Sequence, residues 1–279
     1  MTQYPGDRFG SDVYQFGFKS NLGVIETHQH LSEEAVEDRT FGWGNNGIDA
    51  IMRAMDHCGV EASILQPLGG AHDVFAVHRK IYEYSQKYPG RIFGIASLNV
   101  KECGEERAAK EFEHCVKELK FVGLKFHGFS HGINPASPLA SVYFESARSL
   151  GVPLMVCVGA HGQPFTNPGL FAERAAMYPD LTIIFAHMDY AIAETAISLA
   201  GRLPNIYLSS SLSITAYLER AITRLGPERM MLASEDAAGM PAEIAKLVFA
   251  THNDSELRVV LRETALDVFN LRGRLRSPA

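Results

Sequence analysis

Val24-Ile25-Glu26-Thr27-His28-Gln29-His30 is a short apolar run that closes on two histidines separated by one residue. Its β-branched residues favour a strand. Strand side chains alternate between faces, so Glu26, His28 and His30 are expected on the same side. Two imidazoles on one face at a strand end offer two nitrogen donors to a single ion, and imidazole suits zinc, iron, nickel or copper. An isolated pair of this kind also arises by chance as two surface histidines, so the rest of the chain must decide. The end of the run already bears on the fold. A doubly wound open sheet places a glycine-rich phosphate loop after its first strand, and residues 26–30 are not one.

Working outward, short apolar runs alternate with segments of helical spacing. The runs lie at 23–27, 62–66, 92–98, 122–126, 153–158, 182–186, 206–209 and 230–233, and the helical segments include 48–58, 75–87, 105–119, 139–150 and 191–203. Several helices end in the same punctuation, Cys58-Gly59-Val60 and Leu150-Gly151-Val152, where a glycine takes the left-handed cap and releases the chain into the next strand. Eight strands alternating with helices predict an α/β fold, a single (β/α)8 TIM barrel over 22–279. Residues 1–21 lack periodicity and are read as an N-terminal arm packing on the body or on a second subunit of a homo-oligomer. The segment 256–271, with Leu257, Val260, Leu261, Ala265, Val268 and Phe269 on one face, is expected to close the bottom or side of the barrel.

The chain has 279 residues, 46% hydrophobic and 21% charged, with a net charge of -6. That acidic balance gives no reason to expect nucleic acid or an anionic membrane as partner, which leaves a small molecule. There is no apolar stretch of membrane-spanning length and no secretory signal at the start. Cys58, Cys103, Cys115 and Cys157 have no C-x-x-C spacing, so a reduced, cytoplasmic protein is expected.

In such a barrel the C-terminal strand ends form the mouth. Strand one brings His28 and His30. Strand four, Gly123-Leu124-Lys125-Phe126-His127, puts Lys125 and His127 on one face. Strand five puts Met155, Cys157 and His161 together, strand six ends on His187, and strand eight ends on Glu235 and Asp236. Histidine or carboxylate closes strand after strand, a regularity that scattered solvated residues seldom produce.

Here the sequence resembles the amidohydrolase superfamily, in particular amidohydrolase family 2, which contains hydrolases and decarboxylases of aromatic or small acids. The resemblance runs over nearly all of the chain after residue 21. It is carried by Ile25-Glu26-Thr27-His28-Gln29-His30, Tyr88-Pro89-Gly90-Arg91-Ile92-Phe93-Gly94, Val122-Gly123-Leu124-Lys125-Phe126-His127, Ile184-Phe185-Ala186-His187-Met188 and Leu232-Ala233-Ser234-Glu235. It implies a metal set of the two strand-one histidines, a strand-five histidine and a strand-eight aspartate, with a strand-six histidine as ligand or acid/base. These positions are His28, His30, Cys157, Glu235 and His187. Cysteine therefore stands where the family has histidine, and glutamate where it has aspartate.

Cys157 is either a thiolate ligand or a small residue filling the space, with His161 a third source of the missing donor. Glu235 reaches a metal from one methylene further back. Asp236 faces the other way unless a bulge exchanges the two. His187 is suited to moving protons near neutral pH. Lys125 either binds a substrate carboxylate or pairs with Glu26. His127, His131, His161 and Ser209-Ser210-Ser211 are candidate substrate contacts, with Trp43 an apolar wall, and His57, His72, His78, His114 and His252 read as surface residues. The expected protein is an enzyme with one divalent ion, zinc. It hydrolyses a C–N, ester or lactone bond, or decarboxylates a small acid, with metal-activated water or a polarised carbonyl and His187 as acid/base. One rival is a metal-independent lactonase using Glu235 or Asp236 as base. Another is a barrel that binds a small ligand without turnover.

Overall fold

The structure, a computed structural model, describes residues 22–32, 46–159 and 162–276. The arm expected over 1–21, Trp43 and His161 lie outside the described residues. Eight strands form one sheet in sequential order: β1 (Val24–Leu31), β2 (Val60–Pro67), β3 (Ile92–Ser97), β4 (Gly123–Phe126), β5 (Leu154–Cys157), β6 (Ile183–Ala186), β7 (Ile206–Ser209) and β8 (Met230–Met231). Neighbours from β1 to β8 pair in parallel. The sheet then closes on itself. Thr27 N–H donates to the Leu232 carbonyl, Glu235 N–H to the His28 carbonyl, and His30 N–H to the Glu235 carbonyl. This is the (β/α)8 barrel expected from the alternation.

Strand alternation sorts the side chains into two layers. Ile25, Ala62, Ile64, Ile95, Met155, Ile184 and Met231 form the inner cluster. Leu65, Leu124, Phe126, Val156, Phe185 and Leu208 belong to the outer cluster, under the helices. The main helices are α1 (Ile48–Cys58), α2 (Val74–Lys87), α3 (Glu105–Lys117), α4 (Ser141–Leu150), α5 (Ala172–Met177), α6 (Ala193–Arg202), α7 (Thr215–Leu225) and α8 (Met240–Ala250). Gly59 and Gly151 end α1 and α4 at φ 71° and 66°, the left-handed cap that the sequence signals. A helical run over 254–268, wound wider across Val259–Glu263, follows α8. Ala265, Leu266, Phe269 and Leu271 pack with the inner cluster and close the barrel, as the amphipathic pattern predicts. Among the described residues no helix is long and apolar enough to cross a membrane.

Two expectations are corrected. The register of β1 against β2 shifts between Glu26 and Gln29, so simple alternation fails there. Glu26 does not join the histidines. Its Oε1 accepts the backbone N–H groups of His28 (2.8 Å) and Ser234 (2.9 Å), and Oε2 accepts the Ser63 hydroxyl (3.0 Å). His78 is buried rather than on the surface. Its Nε2 accepts the Ser97 N–H at 3.1 Å, and its Nδ1 lies 3.3 Å from Glu111 on α3.

Behind β7 and β8, Glu243 of α8 accepts Ser210 Oγ (3.2 Å) and Lys246 Nζ (2.6 Å). Burial pushes its carboxyl up to about 7, partly offset by Lys246 and Ser210. The folded state therefore holds this proton more tightly than the unfolded chain. The associated stability is fully present below about pH 4.5, the ordinary glutamate range, and is lost as pH rises through 7. Chemical denaturation of wild type and Glu243→Gln at pH 4.5 and 7.5 checks this. The stability difference is expected to move against wild type by up to ~3 kcal/mol across that window; a constant difference contradicts it.

Candidate metal centre at the strand ends

The site is assembled around Glu235, which follows β8 at φ 69°. Left-handed backbone costs a non-glycine residue roughly 1–2 kcal/mol. It is tolerated here because both backbone polar groups of Glu235 are bonded to β1. That conformation is accompanied by a carboxylate among three imidazoles. Oε1 lies 3.1 Å from His28 Nδ1 and 3.2 Å from His187 Nδ1, and Oε2 lies 3.5 Å from His30 Nε2. His187, directly after β6, is likewise left-handed at φ 76°.

The imidazoles are oriented by their far sides. His30 Nδ1 lies 3.0 Å from the Pro67 carbonyl and donates to it, which leaves Nε2 with its lone pair toward His28 Nε2 (3.0 Å) and Glu235. His187 has its backbone N–H on Ser209 Oγ (3.3 Å) and Nδ1 beside Ser211 Oγ (2.9 Å). The serine run thus seats His187, while Ser210 turns back to Ala233 and Glu243.

His28, His30, His187 and Glu235 are each less than 7% exposed. Burial holds His28 well below, and His30 below, the ordinary histidine value, against the opposing pull of Glu235. Both are therefore neutral at pH 7, the form in which an imidazole can ligate a metal. Burial would raise the Glu235 carboxyl, but the His187 beside it reverses this and holds it well below the carboxylate range. For His187, burial alone would lower the value; Glu235 and Cys157 lift it to about 10.

The approaches are close but poorly aligned as hydrogen bonds. His28 Nδ1 and both Glu235 oxygens are buried without a well-directed partner. Unsatisfied buried polar atoms converging on one point fit a cation, which lone pairs bind without the alignment a shared proton needs. His28, His187 and Glu235 each place a ligand atom within 4.8 Å of the others.

A second trio, His78, Glu111 and Cys115, is equally compact. It does not fit an ion. His78 Nε2 already accepts a backbone N–H, so its proton sits on Nδ1 and points at Glu111. Burial also pushes the Cys115 thiol up, away from the thiolate form that ligates metals.

Around the first trio, Lys125 is buried with Nζ 3.3 Å from His28 Nε2, and the anionic groups facing it are Cys157 and Glu235. Burial pushes the Cys157 thiol up, but hydrogen-bonded His127 and His187 outweigh this and hold it well below the ordinary thiol value. The sulfur is thus seated between two imidazoles. Asp236 accepts the Gly239 N–H at 2.6 Å and caps the turn into α8. His131 is taken up by the Tyr143 hydroxyl at 3.0 Å. Sequence patterning does not point to Gln29, Asn46 or Gln66, yet all three are buried at this end of the barrel. Asn46 Nδ2 donates to the His30 carbonyl (2.6 Å) and to Gln29 (3.2 Å), while its Oδ1 accepts the Ala237 N–H (3.0 Å).

The profile of the amidohydrolase family matches residues 25–271, nearly the whole barrel. The chain belongs to the amidohydrolase family. Gamma-resorcylate decarboxylase of Polaromonas sp. is 34% identical to it over 111 residues, 36% of this chain and 32% of that one. That match spans about a third of the relative's length. A dihydroxybenzoic acid decarboxylase from Polaromonas sp., solved with manganese and 2-nitroresorcinol, superposes with a TM-score of 0.71 at 20% identity, covering 91% of this amidohydrolase and 98% of that chain. A 4-oxalomesaconate hydratase from Rhodopseudomonas palustris superposes with a TM-score of 0.69 at 17% identity, covering 90% and 96%. At such identities the solved structures share the fold.

The geometry separates the two acids at the end of β8. Glu235→Gln is expected to weaken divalent-metal retention by about tenfold or more, because a neutral amide replaces the anionic donor. Asp236→Asn keeps the cap and should leave metal content unchanged. Elemental analysis of the two purified variants checks this, and the reverse pattern would exchange their roles.

Proposed function

We propose that this amidohydrolase is a metal-dependent decarboxylase of small hydroxylated aromatic acids. The observation that carries the reading is the convergence of His28, His30, His187 and Glu235 with orphaned buried lone pairs at the barrel mouth. The stretch shared with a gamma-resorcylate decarboxylase supports the substrate class. His28, His30 and Glu235 would hold one divalent ion, with His187 beside them keeping its proton. Imidazole with carboxylate suits zinc and equally manganese, and manganese in the solved dihydroxybenzoic acid decarboxylase supports the latter.

When bound, the ion supplies the charge that holds and polarises the acid's oxygen atoms. The chain's own residues do the remainder. Burial lowers the Lys125 ammonium against the opposing pull of Cys157 and Glu235, and its Nζ, beside His28, is a donor for an incoming carboxylate. His187, seated by Ser211 and flanked by Glu235 and Cys157, delivers a proton. The bond between the ring carbon and the carboxyl carbon breaks, and its electron pair stays on the ring carbon. That carbon takes the proton as CO2 leaves. Cys157 is assigned to positioning His127 and His187. The rival in which a strand-eight carboxylate activates water without metal is less well supported, since Glu235 is enclosed by imidazoles rather than open to water.

Carbon dioxide release from dihydroxybenzoates tests the reading. Chelation should abolish turnover, and returning manganese or zinc should restore it. Cys157→Ser should keep its metal and lose kcat by about tenfold or more, the scale on which supporting partners act. Full turnover by metal-free protein, or hydrolysis of lactones with no decarboxylation, would overturn it.

A further inference from the structure

Gln66 lies near the end of β2, opposite His30 in the strand register. Ala62 and Ile64 belong to the inner cluster and Leu65 to the outer one, so alternation turns Gln66 into the barrel. It is fully buried, yet neither its Oε1 nor its Nε2 has a hydrogen-bond partner. A buried amide left unpaired is destabilising relative to an apolar side chain of the same shape. Nothing in the packing of β2 requires an amide, because the inward positions before it are filled by Ala62 and Ile64.

Its surroundings are those of the site. The next residue, Pro67, receives His30 Nδ1 at 3.0 Å. Two residues further on, Gly69 passes so close to His127 and Ser130 that a Cβ there would lie 3.0 Å from His127 Cδ2 and 2.6 Å from Ser130 Oγ. The segment from Gln66 to Gly69 therefore bridges the strand-one histidines and the His127–Cys157 side of the mouth. Ser32 Oγ, next along the mouth after Leu31, which pairs with Pro67, is also buried and unpartnered.

We propose that the Gln66 amide binds the substrate, reading a hydroxyl group that stands beside the carboxylate. This rests on the decarboxylase reading above and names the substrate feature it selects. A free amide offers an acceptor and a donor side by side. A lone carboxylate only accepts, so it would satisfy Nε2 and leave Oε1 orphaned. A hydroxyl adjacent to a carboxylate satisfies both: the hydroxyl donates to Oε1, and Nε2 donates to a carboxylate oxygen. Sites built to bond a hydroxyl reject analogues that lack it, because their own buried groups are then left unpaired.

The test uses metal-loaded wild type and Gln66→Met, which keeps length and removes both hydrogen-bonding atoms. Binding of 2-hydroxybenzoate and of benzoate is measured by calorimetry, together with metal content and the unliganded Tm. Wild type should prefer 2-hydroxybenzoate by about tenfold or more. Gln66→Met should lose that preference, because its affinity for 2-hydroxybenzoate falls by more than its affinity for benzoate, while metal content stays the same. Its unliganded Tm should be equal or higher, since an orphaned amide has gone. If both acids bind wild type but Gln66→Met keeps the preference, or shows a lower Tm with unchanged binding, the amide is structural and the inference fails. If neither acid binds wild type, the substrate class itself fails, and the inference fails with it.

Discussion

The arrangement depends on the backbone clamp between Glu235 and β1. Glu235 N–H donates to the His28 carbonyl at 2.8 Å, and its carbonyl accepts His30 N–H at 2.9 Å. One residue thereby joins the last strand to the first at the same level where its carboxylate reaches His28, His30 and His187. Barrel closure and site assembly are one event. Glu26 reinforces the seam from below, accepting N–H groups from both His28 and Ser234 and a hydroxyl from Ser63 on β2. Burial raises the Glu26 carboxyl to about 8, against the pull of those hydrogen bonds. Asn46 ties the same seam from above through Gln29, the His30 carbonyl and Ala237.

Enclosure sets the electrostatics. Two strand-one imidazoles are kept neutral by burial, while Glu235 is kept ionised by His187. That division gives lone pairs on one wall and a negative charge on the other, and in a site of low dielectric both act strongly on a cation. The outer-layer trio of His78, Glu111 and Cys115 has similar residue types but its proton positions already satisfied. Donor type and proximity alone do not distinguish the two; the partner on the far ring nitrogen does.

Much of this is legible in the sequence. Apolar runs broken by Cys58-Gly59 and Leu150-Gly151 define the barrel, and chemistry-bearing residues at the strand ends define its mouth. The register shift after Glu26 is not legible, because it arises from how β1 meets β2 and β8 rather than from local propensity. Nor are the left-handed turns at His187 and Glu235, which the chain adopts only with tertiary partners in place. His78 is within reach of periodicity: it shares the buried face of α2 with Ile81, three residues on. Gln66 carries no such signal, since a glutamine at the end of an apolar run looks like a strand terminator until its burial is known.

The same fold carries decarboxylation in one solved structure and hydration in another, so the reaction depends on what surrounds the ion rather than on the fold. The position of the ion is therefore the central claim. Anomalous diffraction from crystals grown with manganese tests it most directly. One peak is predicted, bounded by His28, His30, His187 and Glu235, with Asp236 still capping Gly239. A peak at His78, Glu111 and Cys115, or no peak among the strand-end histidines under saturating manganese, would contradict it.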